Sequence, residues 1–426
     1  QPGTGDARLC FGEKSGGGVF SRSHGLRACR CLPISSPAIR KPLIVKILQI
    51  TTELRIAGAE KVVAALSRGL RRRGHEVRVV SLAPIPNIEH TTVVPLLKEA
   101  EIGIETLEAS PLKTWRLARL RQVVAEFRPA LVHAHLFHAN LAARIFGRAP
   151  HVPLINTVHI AERRVFARWQ LWLDRLTLSR CTRQTAVSKA VRDFHAQHLG
   201  VHPETMPVVY NGIDVPPKLD AARIAALREE WGVAGARKVI GGVGRLDPQK
   251  GFDRLLRMLP ELARQIPGEA PLAVVLLGEG PQRPALEQLA AKCADDIITV
   301  MPGFRADAAA CIGAFDLFSM PSRYEGFGLT LAEAMAHGVP IAAADVDSLP
   351  ELLAGYPSGI CMPFADLSVE RAARELAGAL RLAPCSPEFR FSVDAMVDGY
   401  ESLYRELTAK AESCMPGGSG KKYNGY

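Results

Sequence analysis

The stretch RKVIGGVGRLDPQKGFDRLLRMLPELA, residues 237–263, reads as a strand ending at Val243–Gly244, a polar turn, and a helix opened after Lys250–Gly251. The same alternation continues in APLAVVLLGEGPQRPALEQLAAKC, DIITVMPGF, CIGAFDLFSMPS and TLAEAMAHGVPIAAAD. Strands that alternate with helices of this length predict a doubly wound parallel sheet. The first half repeats the theme. LIVKILQIT is a β-rich apolar run, and ELRIAGAEKVVAALSRGLRRRGHEVRVVSLAP then reads loop, amphipathic helix, Gly74 as helix stop, and strand. LARLRQVVAEFRPALVHAHLF, NLAARIFGRAPHVPLINTVHI and CTRQTAVSKAVRDFHAQHLG continue it.

Between the two series stands YNGIDVPPKLD, residues 210–220, whose prolines and charge shift mark a linker. A chain of 426 residues exceeds what one core supports, so two domains are expected. The expected division is 1–42 a disordered basic extension, 43–214 a first Rossmann-like domain, 215–409 a second, closed by a helix over about 392–409, and 410–426 a disordered tail. The predicted fold is α/β, with two facing doubly wound sheets. Ligands of such sheets bind at the carboxyl ends of the strands, in a shared cleft.

The composition, 47% apolar and 23% charged, is that of a folded globular protein. No apolar run reaches the roughly 18 residues of a membrane-spanning helix. Residues 1–42 hold 7 Lys/Arg against 2 Asp/Glu, residues 43–200 hold 24 against 12, and residues 201–426 hold 22 against 29. A strongly basic first half suggests a polyanionic partner for that half alone, nucleic acid or an anionic lipid surface. In ERRVFARWQLWLDRLTLSRCTR, Phe166, Trp169, Leu173 and Leu176 recur at helical spacing beside Arg163, Arg164, Arg168 and Arg175. Two readings stand: a core-facing helix with a solvated basic side, which is the commoner case, or a helix lying on a membrane. Nine cysteines with no CxxC pair argue for reduced thiols in a cytosolic protein and against zinc.

Candidate chemistry sits in the strand-to-helix joints. Arg245 and Lys250 place two cations beside a helix N-terminus, a setting for a diphosphate. LLGEGPQRP offers Gly278 and Gly280, and IAGAE offers Gly58, for close backbone approach; neither is a Walker loop or a dinucleotide fingerprint. In SRYEGFGLTLAEAMAHGVPIAAAD, residues 322–345, Glu325 lies in a Gly-flanked turn and Glu333 on a helix. Thr330 with Glu333 matches a capping box, which would make Glu333 structural. His133, His135, His138 and His159 cluster at strand ends and lack acidic partners for a metal. DVD at Asp345–Asp347 carries little weight as a metal site for the same reason.

Together GGVGRLDPQKGFDRLL, LLGEGPQRPALE, FSMPSRYEGFGLTLAEAMAHGVPIAAADVDSLPELL and VVYNGID resemble the retaining glycosyltransferases of family 4, with the GT-B fold. AGAEKVV, VHAHLFHANLAAR and NTVHI are similar to bacterial members that build surface polysaccharide or lipopolysaccharide. The resemblance implies that Arg245 and Lys250 hold the diphosphate of a nucleotide-sugar donor without a metal, with Gly244 ending the strand that delivers them. Glu333 would bind the ribose hydroxyls. Glu325, with Gly326, Phe327 and Gly328, would hold the transferred sugar, Leu329 would be among the donor-binding residues, and Gly58 would sit near the donor phosphate. His159 would sit near the reaction centre, and Phe304 and Arg305 would bind the base through backbone groups. Ala57 stands where many members have glycine, and DVDSLPE lacks a usual glycine pair but keeps Glu351.

The resemblance implies a UDP-sugar rather than a GDP-sugar donor, no other cofactor, a lipid-linked saccharide acceptor, and a cytoplasmic place against the membrane through the basic first half. Nucleic acid drops out as a partner. A sugar-nucleotide epimerase of the same fold, using Glu53 and Glu60, and a non-catalytic polyanion-binding protein are the alternatives. The combination of Arg245, Lys250, Glu325 and Glu333 speaks against the last.

Overall fold

The computed structural model describes residues 44–87, 91–161, 168–266, 268, 271–293, 297–365, 367–386 and 388–413. The expected disorder of 1–42 and of 414–426, and the positions of Arg163, Arg164 and Phe166, lie outside them.

The first series runs β1 (Lys46–Thr51), α1 (Gly58–Arg72), β2 (Glu76–Ser81), α2 (Val94–Glu99), β3 (Gly103–Thr106), α3 (Leu120–Phe127), β4 (Leu131–His135), α4 (Phe137–Phe146), β5 (Leu154–Val158), α5 (Arg168–Thr177), β6 (Arg183–Ala186) and α6 (Lys189–Leu199). The second begins α7 (Ala221–Glu230), β7 (Lys238–Val243), α8 (Phe252–Gln265), β8 (Leu272–Leu277), α9 (Arg283–Ala290), β9 (Ile297–Gly303) and α10 (Ala308–Cys311). It ends β10 (Leu317–Met320), α11 (Leu329–His337), β11 (Ile341–Ala344), α12 (Leu349–Leu353), β12 (Gly359–Met362), α13 (Val369–Ala379) and α14 (Val393–Ser413).

Each series forms a six-stranded sheet, ordered β3-β2-β1-β4-β5-β6 and β12-β11-β10-β7-β8-β9. All neighbouring strands pair in parallel. Counted from β9, the second order repeats the first. In both, the direction of winding reverses once, between β1 and β4 and between β7 and β10, and at such a point the loops diverge to opposite faces and leave a crevice. Central strands such as LAVVLL of β8 are buried along their whole length because helices cover both faces.

The first sheet is covered on one side by α3 and α4, through Val123, Val124, Phe127, Ala139 and Ala143. On the other side lies α1, with Val62, Leu66 and Leu70, together with Met396, Val397, Tyr400, Leu403, Tyr404 and Leu407 of α14. The last helix therefore seals the first sheet, although the division at 214/215 groups it with the second half, and it runs to Ser413 rather than ending near 409. The chain crosses between the sheets twice. The two crossings touch, with Ile213 bridged to Ser392 and the Ile213 amide donating to the Phe391 carbonyl at 2.9 Å.

Helix α5 departs from the core-facing reading. Trp169, Trp172 and Leu176 are 50%, 63% and 63% exposed, while Asp174 is buried. The Asp174 carboxylate accepts from the fully buried guanidinium of Arg144 at 2.5 Å, and Arg144 also donates to Asn156 and Gln184. A buried charge pair, satisfied on all sides, thus anchors the polar face of α5 inward and turns its apolar stripe out.

Candidate functional site

The reversal point of the second sheet holds the predicted cations. Gly244 and Gly278 end β7 and β8 at φ of 155° and 147°. A Cβ on Gly278 would stand 1.9 Å from the Gly244 carbonyl oxygen, so the two loops can stack backbone on backbone only with glycine there. Beyond them Asp247 organises the turn. Its Oδ2 accepts from Arg245 Nε at 2.5 Å and its Oδ1 accepts from the Lys250 amide at 3.4 Å. Lys250 is thereby aimed at the loop after β10, where its Nζ lies 2.6 Å from Glu325 Oε1.

Glu325 is held from three directions. Ser322 Oγ donates to the same carboxylate oxygen at 2.8 Å, and the Glu325 amide donates to Asp347 Oδ2 at 2.9 Å. The Lys250 and Glu325 side chains are only 19% and 7% exposed, so this ion pair works at reduced solvent screening and is fixed by charge-assisted bonds. Asp347 takes a left-handed φ of 47°, a conformation that Asp tolerates better than most residues. That is how the loop turns without the missing glycine pair. The DVD segment serves Glu325. Among the described residues no three His, Cys, Asp or Glu side chains group as a metal site.

The Glu325 loop meets the first sheet. A Cβ on Gly326 would lie 1.8 Å from the carbonyl oxygen of His159, just past β5, so only glycine allows this approach. Ser188 Oγ, between β6 and α6, donates to the Gly326 carbonyl at 2.8 Å. The Lys189 amide, opening α6, donates to Glu351 Oε1 at 2.9 Å. Near β1, a Cβ on Gly58 would rest 3.6 Å from a Leu329 methyl group. The structure thus brings Arg245, Lys250, Gly244, Glu325, Gly326, Gly328, Leu329, Gly58 and His159 to one junction of strand ends from both sheets. Ala57 sits there in extended backbone at φ −143°, where alanine costs nothing.

Three expectations bear on side-chain placement. First, Thr330 does not cap: α11 starts from Gly328 in the left-handed conformation, Thr330 Oγ1 has no hydrogen-bond partner among the described residues, and Glu333 stands inside the helix. Burial pushes the Glu333 carboxyl above its ordinary range, against the pull of Lys61 and Lys250. Glu333 therefore does not act as the cap, and its carboxyl is buried within the field of two ammonium groups. Second, the Phe327 ring is buried against Tyr210 and Phe391, with centroids 6.2 and 5.5 Å away, so the side chain braces the crossings. Third, the Arg305 guanidinium is occupied by Asp307, at 2.9 Å to each oxygen, and by Glu230. Arg305 and the half-exposed Phe304 follow the edge strand β9, two strands from β7, and only backbone groups of Arg305 remain for a ligand.

Of the histidines, His133 and His135 are fully buried and burial lowers both pKa values well below the ordinary one. His159 is partly exposed, and its pKa is pushed down to about 4, again by burial. Burial thus favours the neutral form of all three. Glu60, in the first turn of α1, is pushed up to about 7 by burial, and its neighbour Glu53 faces Arg55. Asp247, Ser322 and Ser188 were invisible to motif reading, since each acts by holding another residue, and Asp347, weighed only as part of a metal site, holds the Glu325 amide. Two cavities of about 540 and 620 Å³ share Arg148 and Arg180 and open at the amino ends of β4, β5 and β6, away from this junction.

The family described as Glycosyltransferase Family 4 matches residues 56–216, and the one described as Glycosyl transferases group 1 matches residues 237–381. A D-inositol 3-phosphate glycosyltransferase of Segniliparus rotundus is 29% identical over 369 residues, covering 79% of this chain and 81% of the relative. An alpha-D-kanosaminyltransferase of Streptomyces kanamyceticus is 26% identical, covering 81% and 98%. Among solved structures, HepE of Anabaena in complex with UDP-glucose superposes with a TM-score of 0.67 at 23% identity, over 87% of this chain and 98% of that one. With both halves matched in order, and two like-wound sheets meeting at their strand ends, this chain belongs to the family 4 glycosyltransferases and has the GT-B fold.

Proposed function

We propose that this glycosyltransferase takes the sugar of a UDP-sugar and transfers it, with retention and without a metal ion, to a lipid-linked saccharide in the making of a bacterial cell-surface glycan such as polysaccharide or lipopolysaccharide. The observation that carries the reading is the Lys250–Glu325 pair, 2.6 Å apart and packed by Gly326 against the His159 carbonyl. A leaving diphosphate placed there meets Lys250, the exposed Arg245 and the N-terminus of α8. Charge that develops in the transition state is met by groups already in place, which is the largest contribution such a site can make. Glu325 has one carboxylate oxygen committed to Lys250 and Ser322, which suits an acceptor for sugar hydroxyls better than an attacking nucleophile. Front-face displacement follows: the acceptor hydroxyl attacks on the side that the diphosphate leaves, and a phosphate oxygen takes its proton. Glu333 takes the ribose, and the backbone at Phe304 and Arg305 the base. The HepE complex with UDP-glucose supports uridine as the base.

The acceptor half of the reading rests on the first sheet's outer face. No helix among the described residues is long and apolar enough to cross a membrane. Trp169, Trp172 and Leu176 are nonetheless exposed on α5, with Arg168 and Arg175 on the same helix, and Leu112 and Trp115 are exposed nearby in sequence to Lys113 and Arg116. Tryptophans flanked by arginines suit the headgroup layer of an anionic leaflet. The five described cysteines are unpaired, which favours the cytoplasmic side. The test is incubation with UDP-, GDP- and ADP-sugars, with and without a lipid-linked oligosaccharide. Release of UDP and an α-configured product from an α-configured donor, read by NMR, is expected. Failure to bind or cleave any nucleotide sugar overturns the reading.

A further inference from the structure

Behind His159 lies a continuous line of buried polar groups that crosses the first sheet. Nε2 of His159 is 3.1 Å from Nδ1 of His135, and Nε2 of His135 is 2.8 Å from Oε1 of Gln49. The Gln49 amide nitrogen points the other way, donating to the hydroxyl of Tyr404 at 3.5 Å. That hydroxyl lies 2.7 Å from Nδ1 of His133, whose Nε2 is 2.7 Å from Thr157 Oγ1. Gln49, His133, His135 and Thr157 are 0% exposed and Tyr404 is 1% exposed. Groups so buried must find their partners in one another or in buried neighbours, as Thr157 Oγ1 does at Thr185 Oγ1, 2.7 Å, and the Tyr400 hydroxyl, 3.1 Å. Next to His135, Leu136 is held at a φ of 69°, a strained conformation for a branched residue and one that persists only where its surroundings fix it.

The line has a direction. A carbonyl oxygen only accepts, so the Gln49 oxygen requires the proton of His135 on Nε2. A neutral imidazole has one N–H, so Nδ1 of His135 is a bare lone pair and must accept from His159, which places that ring's proton on Nε2. Nδ1 of His159 is then also a bare lone pair, and among the described residues it makes no hydrogen bond. We propose that Tyr404 of α14, acting through Gln49 and His135, is a positioning residue that fixes His159 in the Nε2–H form, so that Nδ1 accepts a hydrogen bond from a hydroxyl of the bound saccharide substrate. The proposal rests on the functional reading above for its substrate, while the tautomer stands on the geometry alone. It gives the C-terminal helix, which packs on the back of the sheet, a part in specificity at the front. A site built to accept from a hydroxyl discriminates against the analogue that lacks it far more sharply than an apolar contact does.

The test uses the full-length protein labelled with ¹⁵N-histidine, with His159 assigned by its loss in His159→Gln. Long-range ¹H–¹⁵N spectra are expected to show His159 protonated on Nε2 and bare on Nδ1. A His159 protonated on Nδ1 overturns the proposal, because the line would then run the other way. In Tyr404→Phe, the Gln49 amide loses its acceptor, and the His159 nitrogens are expected to shift towards averaged values. Its kcat is expected to fall about fivefold, the equivalent of one neutral hydrogen bond, at unchanged KM for the donor. Gln49→Glu, which can only accept, is expected to keep the Nε2–H form. A Tyr404→Phe protein of lower melting temperature with an unaltered His159 spectrum overturns the role of Tyr404. If no sugar is transferred at all, the functional reading fails while the spectra still decide the tautomer.

Discussion

Lys250 Nζ and Glu325 Oε1, 75 residues apart in sequence, lie 2.6 Å from each other where the winding of the second sheet reverses. Each comes from a loop on one side of that reversal, after β7 and after β10. The pair is the meeting point of two crossover units, which is where this topology leaves room for a ligand.

Lys250→Ala is expected to remove transfer, by about 10²–10³ in kcat, as loss of one preorganised electrostatic partner does in other sites. It also leaves Glu325 with its charge buried, at about 3 kcal/mol of stability. Circular dichroism and melting separate the two effects. Full turnover in a folded Lys250→Ala protein would remove Lys250 from the mechanism.

Glu333→Gln tests the ribose contact. Two hydrogen bonds to a charged acceptor become bonds to a neutral amide, so the donor KM is expected to rise about tenfold while kcat changes little. Because burial raises the Glu333 carboxyl above its ordinary range, the same substitution should hold or raise the melting temperature near pH 8. An unaltered KM would return Glu333 to a structural role.

Glu60 predicts a pH dependence of stability. Its carboxyl is pushed from 4.5 to about 7 in the folded protein by burial. Between those values the folded state binds more protons than the unfolded chain. The contribution is thus fully present below pH 4.5 and lost as the pH rises through about 7, on the order of 3 kcal/mol. Glu60→Gln should flatten the decline in melting temperature from pH 5 to 8, and an identical decline in the variant would sink the assignment.

Trp169 and Trp172 together predict adsorption to vesicles. Replacing both with alanine should abolish flotation with phosphatidylglycerol-containing liposomes and leave the melting temperature within a degree or two, because neither ring is in the core. Flotation that survives the double change but is lost in 0.5 M salt would assign the contact to arginines alone.

Chelation gives a fifth check. In the reading above Arg245 and Lys250 stand where other enzymes use a metal, so turnover should be unchanged in excess EDTA. Loss of activity on chelation with recovery on adding magnesium or manganese would overturn that part.

The sequence carried the sheets because fully buried parallel strands and glycine-ended turns have an unmistakable local pattern, as in RKVIGGVGRLDPQKG. It carried the junction residues because they lie in those turns. It did not carry the partner of α14, since the stripe Met396, Tyr400, Leu403 and Leu407 announces a buried face but not which sheet buries it. It left Glu333 open between a capping box with Thr330 and a binding role, because the spacing alone does not show that Gly328, in the left-handed conformation, has already begun the helix. It left α5 open between two readings, and the commoner, core-facing one fails because the buried Arg144 claims Asp174 from the other face. Contacts made by residues distant in sequence decide the placing of α14 and α5, and a glycine two residues away decides Thr330.

The contact between Ile213 and Ser392, where the chain passes from one sheet to the other and back, has a mechanical meaning. Two adjacent strands of covalent chain form a short axle. Gly212 lies so close to the second strand that an added Cβ would stand 2.4 Å from the Ser392 carbonyl oxygen. Rotation of one lobe against the other is then steered about that line, and a protease that cuts residues 215–219 still leaves the lobes joined through the return strand.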